Sequence, residues 1–259
     1  MNSYSDYRAP RSLREVCDSP EHFSGIVSLV EQLAAQSSAP ELVSTLRDAT
    51  RRLGADASYF ASFVREDKDF DSFRLLVACD PVWSLQYEGK DCFAADPWLR
   101  YARSHTEATL SADLKAANER EQRTVDLATR YGFNSAFVVP APVGRGSRTG
   151  VLVLGSRRND FFNDRGMPAF RCIARGLAME LHDRFTVLMR SELRMRCHLT
   201  PFDLELLAHE RDGRPTKVIA SLLGCSVGAV DQRFHRLYGK LGVANRAQAA
   251  RLVAAYGLI

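Results

Sequence analysis

The sequence lacks any uninterrupted apolar run that could cross a membrane. Such a span needs about 20 consecutive apolar residues, and no window of the 259-residue chain approaches that length. The first thirty residues also lack an apolar segment followed by small residues, which is the pattern of a secretory leader. These absences predict a cytoplasmic protein without a membrane partner.

Closely spaced metal ligands are missing as well. The six cysteines are far apart with no CxxC pair, and the six histidines show no HExxH spacing, whereas zinc sites need ligands at short intervals. No serine lies in a nucleophile-elbow motif. The glycine-rich segment 144–150 lies between two predicted strands, while a dinucleotide-binding loop leads into a helix. The sequence therefore predicts no metal, no cofactor and no enzyme activity.

The composition is that of an ordinary globular protein. Hydrophobic residues make up 46% of the chain and charged residues 25%, which excludes disordered and collagen-like classes. The net charge is +4. From His198 to the end, eight Lys and Arg residues outnumber five Asp and Glu residues, so most of the positive charge lies in the last quarter. A basic segment of this kind is a weak indication of an anionic partner.

Helical and strand-like patterns alternate along the first 190 residues. Apolar residues at helical spacing predict two helices within residues 22–53 and helices at 115–131 and 167–189. Residues 81–103 are also predicted to be helical, with an interruption near Asp96-Pro97. β-Branched and aromatic runs predict two strand pairs, 58–65 with 72–79 and 135–142 with 149–155. Helices interleaved with hairpins favour an α+β fold, in which helices pack on an antiparallel sheet.

The same patterns divide the chain into segments. We predict a mobile or loosely packed arm at residues 1–20, a sandwich domain at 21–190, a short charged linker at 191–197 and an all-α domain of four short helices at 198–259.

The C-terminal segment has the dimensions of a helix-turn-helix. Helices predicted at 217–223 and 227–241 are joined by a turn that contains Gly224 and ends at Ser226, a natural N-cap. The later helix has one apolar face and one basic face, and in a helix-turn-helix this second helix enters the major groove. On charge alone, a small helical bundle with a solvated charged face explains the segment equally well.

The residue pattern favours the first interpretation, because the segment resembles the DNA-binding domain of LuxR-type transcription factors. The matching positions are Leu199-Thr200, Leu207, Gly213, Ile219-Ala220, Ser226, Lys240-Leu241-Gly242-Val243, Arg246 and Gly257-Leu258-Ile259. The segment departs from the family pattern at Phe202-Asp203, where Arg-Glu is usual, at Val218, where Glu is usual, and at Ala229, where Thr is common.

This resemblance implies binding to a palindromic DNA operator by a homodimer. We expect Gln232 and Arg233 to reach base edges and Arg236 and Lys240 to contact phosphates. The apolar stripe of the 167–189 helix and the small apolar residues of the last helix are candidate dimer contacts. Either stripe is equally consistent with a place in the core of one subunit.

Upstream, Trp83, Tyr87 and Asp96 form the most suggestive cluster. Trp83 and Tyr87 are four residues apart and share a helix face, while Asp96 begins the next element. An indole N–H, a phenol and a carboxylate together suit a small molecule with carbonyl and amide groups. A core aromatic pair beside an Asp N-cap explains the same residues.

The spacing resembles the acyl-homoserine-lactone-binding domain of LuxR-type receptors over residues 22–190. The family fold is an α-β-α sandwich. The resemblance implies that Trp83 donates to the lactone carbonyl, that Asp96 accepts from the amide N–H and that Tyr87 lines the site.

Three positions depart from that pattern. Ser111 replaces a second Trp, Ala136 replaces a Gly, and Cys79 replaces a Tyr. Trp98, two residues after Asp96, is expected to fill the room that the missing Trp leaves.

The sequence thus predicts a quorum-sensing DNA-binding regulator controlled by an acyl-homoserine lactone or a related signal. The first alternative is an orphan regulator that needs no ligand because side chains close its pocket. An alternative of another class is a small-molecule carrier or enzyme built on the sandwich domain.

Overall fold

The structure is a computed structural model that describes residues 12–64, 73–142 and 148–259. The chain divides into two compact units. The first contains residues 1–144 and 149–185, and the second contains residues 145–148 and 186–259. The predicted domain boundaries at residues 20, 190 and 197 stay a prediction.

The first unit contains a five-stranded sheet with the strand order β2-β1-β5-β4-β3. The pairs β1–β2, β3–β4 and β4–β5 are antiparallel, as the two predicted hairpins require. Every residue of β5 is buried, so both faces of this central strand are covered. The strands are β1 Ala57–Val64, β2 Arg74–Val77, β3 Thr109–Leu110, β4 Ser135–Pro142 and β5 Arg148–Ser156.

Helices flank the sheet, and their N-termini follow local sequence signals. Ser38, Asp96 and Asn118 each accept a backbone N–H of the following first turn, which satisfies a donor that the helix itself leaves unpaired. The helices are α1 Leu13–Asp18, α2 Pro20–Ala35, α3 Ala39–Arg52, α4 Pro81–Gly89, α5 Pro97–Ser104, α6 Glu119–Arg130 and α7 Met167–Arg196.

Alternating residues of β1 separate two cores. Phe60 faces Phe185 of α7, with ring centroids 6.1 Å apart, while the neighbouring residue Tyr59 faces Trp83 of α4 at 4.8 Å. This alternation follows from the period of two along a strand. The candidate site therefore lies in the core on the face of the sheet opposite α7.

Some predicted helix bounds differ from the structure. Within the predicted arm, α1 buries Leu13 and Val16. The stretch predicted at 81–103 breaks at Asp96-Pro97 as expected and has one further break, so it forms α4, a 3-10 helix at Cys92–Ala95 and α5. The helix predicted to end at residue 189 continues to Arg196, because neither Gly nor Pro interrupts residues 190–196. Residues 1–11, 65–72 and 143–147, which include both predicted hairpin turns, lie outside the described residues.

The second unit is helical and contains the predicted two-helix motif. Ser226 caps α10, and Gly224 in the turn before it has a φ of 62°, a left-handed conformation that glycine adopts without strain. The apolar face of α10 is buried through Val230, Phe234 and Leu237. The helices are α8 Pro201–Arg211, α9 Thr216–Leu222, α10 Val227–Leu241 and α11 Arg246–Ala255.

The candidate dimer stripes are largely buried within the chain. On α7, Phe170 and Leu181 are fully buried, as are Ala249 and Val253 on α11. These side chains therefore belong to the core of each unit. Across the described ranges, no helix combines the length and apolar character of a membrane span.

Candidate functional site

Four of the predicted ligand-site residues come together in the first unit. Trp83 and Tyr87 lie one turn apart on α4, with ring centroids 4.8 Å apart. Asp96 and Trp98 lie at the start of α5. Their exposed fractions are 1% for Trp83, 1% for Tyr87, 4% for Asp96 and 3% for Trp98. The cluster is thus a buried assembly of three rings and one carboxylate.

The Asp96 carboxylate accepts four hydrogen bonds from the protein. Its Oδ1 accepts the backbone N–H groups of Trp98 at 2.8 Å and Leu99 at 3.3 Å. Its Oδ2 accepts the phenol hydroxyls of Tyr87 at 2.8 Å and Tyr59 at 3.4 Å. A carboxylate offers about four acceptor positions, so Asp96 is both the N-cap of α5 and an anchor for two tyrosines.

Burial raises the pKa of Asp96, and its hydrogen bonds offset this only in part. Burial also raises the pKa of Tyr59 and Tyr87, and the nearby carboxylate adds to the effect. Both phenols therefore stay protonated and donate to Asp96.

Tyr59 is a member of the cluster that the sequence analysis missed. Its ring stacks on Trp83 at 4.8 Å and on Trp98 at 6.5 Å, and meets the edge of Phe133 at 5.7 Å. The alternating pattern of β1 could have placed Tyr59 on one face of the sheet. Its partners lie far along the chain, so the strand pattern alone could not identify them.

The space among these residues is narrow. It measures about 190 Å³, including a part that is open to solvent, and it leaves no room for a water molecule. The residues that line it are Trp83, Tyr87, Asp96, Pro97, Trp98, Thr124, Val125 and Ala128.

Two residues that line this space have a buried donor without a hydrogen-bond partner among the described residues. These donors are the indole N–H groups of Trp83 and Trp98. A buried donor that lacks a partner destabilises the fold, and such groups are uncommon in proteins. The site thus has two unsatisfied donors beside a fully bonded carboxylate.

The remaining two predicted residues pair with each other. Ser111, in a 3-10 helix at Ser111–Asp113, accepts the backbone N–H of Ala136 with its Oγ at 2.9 Å. Ala136 belongs to the same buried cluster as Trp83 and Trp98, but neither Ser111 nor Ala136 lines the narrow space. The serine at this position therefore ties β4 to the preceding segment.

The four predicted DNA-binding residues all lie on α10, and they differ in their contacts. Gln232 and Arg236 are exposed. Arg233 donates to the Asp203 carboxylate and, at 3.0 Å, to Thr200 Oγ1. Lys240 donates to the His198 carbonyl oxygen at 2.9 Å. Thus Gln232 and Arg236 face solvent, whereas Arg233 and Lys240 bind groups at the start of α8.

Asp203 is the buried acceptor at that junction. Its side chain is 0% exposed, and it forms a reciprocal capping box with Thr200 at the start of α8. Burial raises the pKa of Asp203, but hydrogen bonds from Arg233 and Thr200 outweigh this and hold the pKa below its usual value. Lys240 Nζ lies 3.6 Å from the same carboxylate, so Asp203 remains ionised between two cations.

Arg246 also connects several helices of the second unit. The sequence pattern includes this residue but assigns it no role. Its guanidinium donates to Thr216 Oγ1 at 2.9 Å and to Asp231 at 3.2 Å, and it lies 4.8 Å from the centre of the Phe234 ring. It therefore connects the starts of α9 and α11 to the middle of α10.

The autoinducer binding domain family matches residues 38–185 of this chain, which contain the whole candidate ligand site. No curated protein sequence matches the chain.

Among solved structures, that of Escherichia coli SdiA is similar, with 17% identity and a TM-score of 0.70 over 92% of this chain and 98% of that one. SdiA in complex with octanoyl-rac-glycerol is similar at 16% identity and a TM-score of 0.63, over 93% and 97% of the two chains.

The N-acylhomoserine-lactone-dependent LuxR family transcription factor CepR2 from Burkholderia cenocepacia is 13% identical, with a TM-score of 0.54 over 66% of this chain and 99% of that one. At these identities the likeness establishes the α+β fold.

Proposed function

The chain belongs to the autoinducer-binding-domain family of LuxR-type quorum-sensing regulators, and we propose that it is a homodimeric cytoplasmic transcription regulator that binds DNA through α10. The observation that carries the proposal is the joining of that sensor domain to a capped two-helix motif. In this motif α10 presents exposed Gln232 and Arg236. Such a helix has the dimensions of a recognition helix in a major groove.

Selection of binding sites from random duplex DNA tests this proposal. We expect an enriched, roughly palindromic site with half-sites about one helical turn apart. Arg236→Ala should weaken binding to all sequences alike and lower the salt slope by about one unit. Gln232→Ala should relax the preference at one base pair. If no sequence is enriched, the DNA-binding proposal is wrong, and the alternative of a small-molecule carrier or enzyme is favoured.

We further propose that the sensor unit binds a small signal at Trp83, Tyr87 and Asp96, most simply an acyl-homoserine lactone. The unpartnered Trp83 N–H supports this role, since a carbonyl oxygen would satisfy it. A thermal-shift panel of acyl-homoserine lactones, with octanoyl-rac-glycerol added because it is bound in the SdiA complex, tests for the ligand. Stabilisation of the wild type that is reduced in Trp83→Phe is the expected result.

The narrowness of this space, which has no room for a water molecule, favours a second candidate, a regulator that needs no ligand. In that case no compound of the panel stabilises the wild type, and Trp83→Phe alters neither stability nor operator binding. Trp98→Ala would then act as a core truncation and cost about 3–5 kcal/mol of stability. In a site that opens for a ligand, the same change mainly widens the range of acyl chains accepted.

A further inference from the structure

The two tryptophans of the chain are both in the candidate site, and both lack a hydrogen-bond partner in the described parts of the structure. Trp98 is the residue expected to fill the room that a missing Trp leaves, and it also carries an indole N–H. Phe would fill space without adding a buried polar group. The Trp98 N–H is therefore a second unexplained donor among the residues of the site.

The strongest acceptor of the site has no position left. Asp96 already receives Tyr87, Tyr59 and two backbone N–H groups. A ligand N–H directed at this carboxylate would have to displace one of these donors. Its gain would then be offset by a buried donor left without a partner.

Charge excludes ionic ligands from the same space. The lining residues include one carboxylate and no cation. An anion would be repelled by Asp96, and a cation would have to compete with the four donors that Asp96 already accepts. An uncharged molecule fits this lining.

We propose that the site takes an uncharged ester, lactone or ketone that presents two acceptor oxygens, one to each indole N–H, and that needs no N–H of its own. This inference rests on the proposed function, in which the sensor unit binds a small signal. Trp98 is then the residue that selects for the second acceptor. Val125 and Ala128, which line the same space, supply apolar surface for the rest of the ligand.

A matched pair of probes tests the inference. N-hexanoyl-homoserine lactone and the ester in which oxygen replaces its amide N–H carry the same two carbonyl groups. We expect the ester to bind the full-length protein at least as tightly as the amide in isothermal titration. A site that needs the amide N–H for Asp96 would lose about tenfold or more on this replacement.

Nuclear magnetic resonance of the protein labelled with ¹⁵N-tryptophan gives a second readout. The spectrum contains two indole N–H signals because the chain has two tryptophans, and Trp83→Phe and Trp98→Phe each remove one and so assign both. Saturating ester should move both signals downfield, as expected when each donor acquires an acceptor. Trp98→Phe should weaken binding of both probes several-fold.

Tyr101→Phe is the matched control, because it removes one aromatic donor from the same helix, α5. The Tyr101 hydroxyl donates to the Glu107 carbonyl oxygen, and Tyr101 does not line the narrow space. The affinity of this variant should equal that of the wild type. Tenfold tighter binding of the amide, an unmoved Trp98 signal, or unchanged affinity of Trp98→Phe would each overturn the inference alone. Binding of neither probe would overturn lactone sensing, and the inference with it.

Discussion

Arg233 connects α10 to the start of α8. Replacing it distinguishes a structural role of this residue from the base contact expected from the sequence. Its partner Asp203 is fully buried, and Thr200 and Lys240 also approach that carboxylate. Deleting one partner of a buried ion pair costs about 3–5 kcal/mol. Because the other two partners remain, we expect Arg233→Ala to lower the free energy of unfolding by the lower end of this range, about 3 kcal/mol.

Hydrogen exchange followed by mass spectrometry measures this loss in the full-length protein. Tryptophan fluorescence does not report on the second unit, since both tryptophans lie in the first. Protected amides of α8 and α10 should exchange about a hundredfold faster in Arg233→Ala, which is what about 3 kcal/mol corresponds to. Arg236→Ala, an exposed change on the same helix, is the control and should stay within about 0.5 kcal/mol of the wild type.

Two further results are expected if the ion pair between Arg233 and Asp203 stabilises the second unit. Adding Asp203→Asn to Arg233→Ala should restore part of the protection, since it removes the uncompensated charge. The pKa of Asp203 is lowered on folding. The ionised Asp203 therefore stabilises the fold fully above its unfolded-state pKa of about 4. This stabilisation is lost as the pH falls toward the lower pKa of the folded state. Asp203→Asn should flatten that acid dependence.

One result would refute the argument. If Arg233→Ala exchanged like Arg236→Ala but relaxed base preference in DNA selection, Arg233 would act at base edges and its ion pair would contribute little.

Three changes in the first unit can be measured by urea unfolding, followed by tryptophan fluorescence. Gly155→Ala places a Cβ 2.3 Å from the Phe133 ring and should cost about 1–3 kcal/mol, and an unchanged midpoint would contradict this packing. Gly176→Ala on α7 meets nothing within 4 Å and should gain up to about 1 kcal/mol, so any loss would show an unexpected contact. Ser111→Ala leaves the Ala136 N–H without its acceptor and should cost about 1–3 kcal/mol, whereas Ser111→Thr, which keeps a hydroxyl, should cost less.

Local signals account for what the sequence predicted well. The two hairpins, the cap at Ser226 and the buried face of α10 depend on residues close together in the chain, and the structure confirms them. Trp83, Tyr87 and Asp96 were found through their spacing, and the structure places them together.

Contacts between distant segments account for what the sequence did not show. Tyr59 reaches Asp96 across 37 residues, and Arg233 reaches Asp203 across 30. Nothing in the pattern of β1 or α10 identifies such partners, because periodicity reports which face is buried and not what lies against it. The narrow space around Trp98 also depends on how several elements pack.

The four hydrogen bonds accepted by Asp96 have a consequence for how this aspartate is interpreted. A carboxylate that begins α5 and holds two tyrosines contributes to folding whether or not a ligand uses it. Replacing it would therefore lower stability even in a protein whose site binds nothing. An aspartate at this position is a mark of the local fold, and the residues around it, such as Trp98, decide what the site can hold.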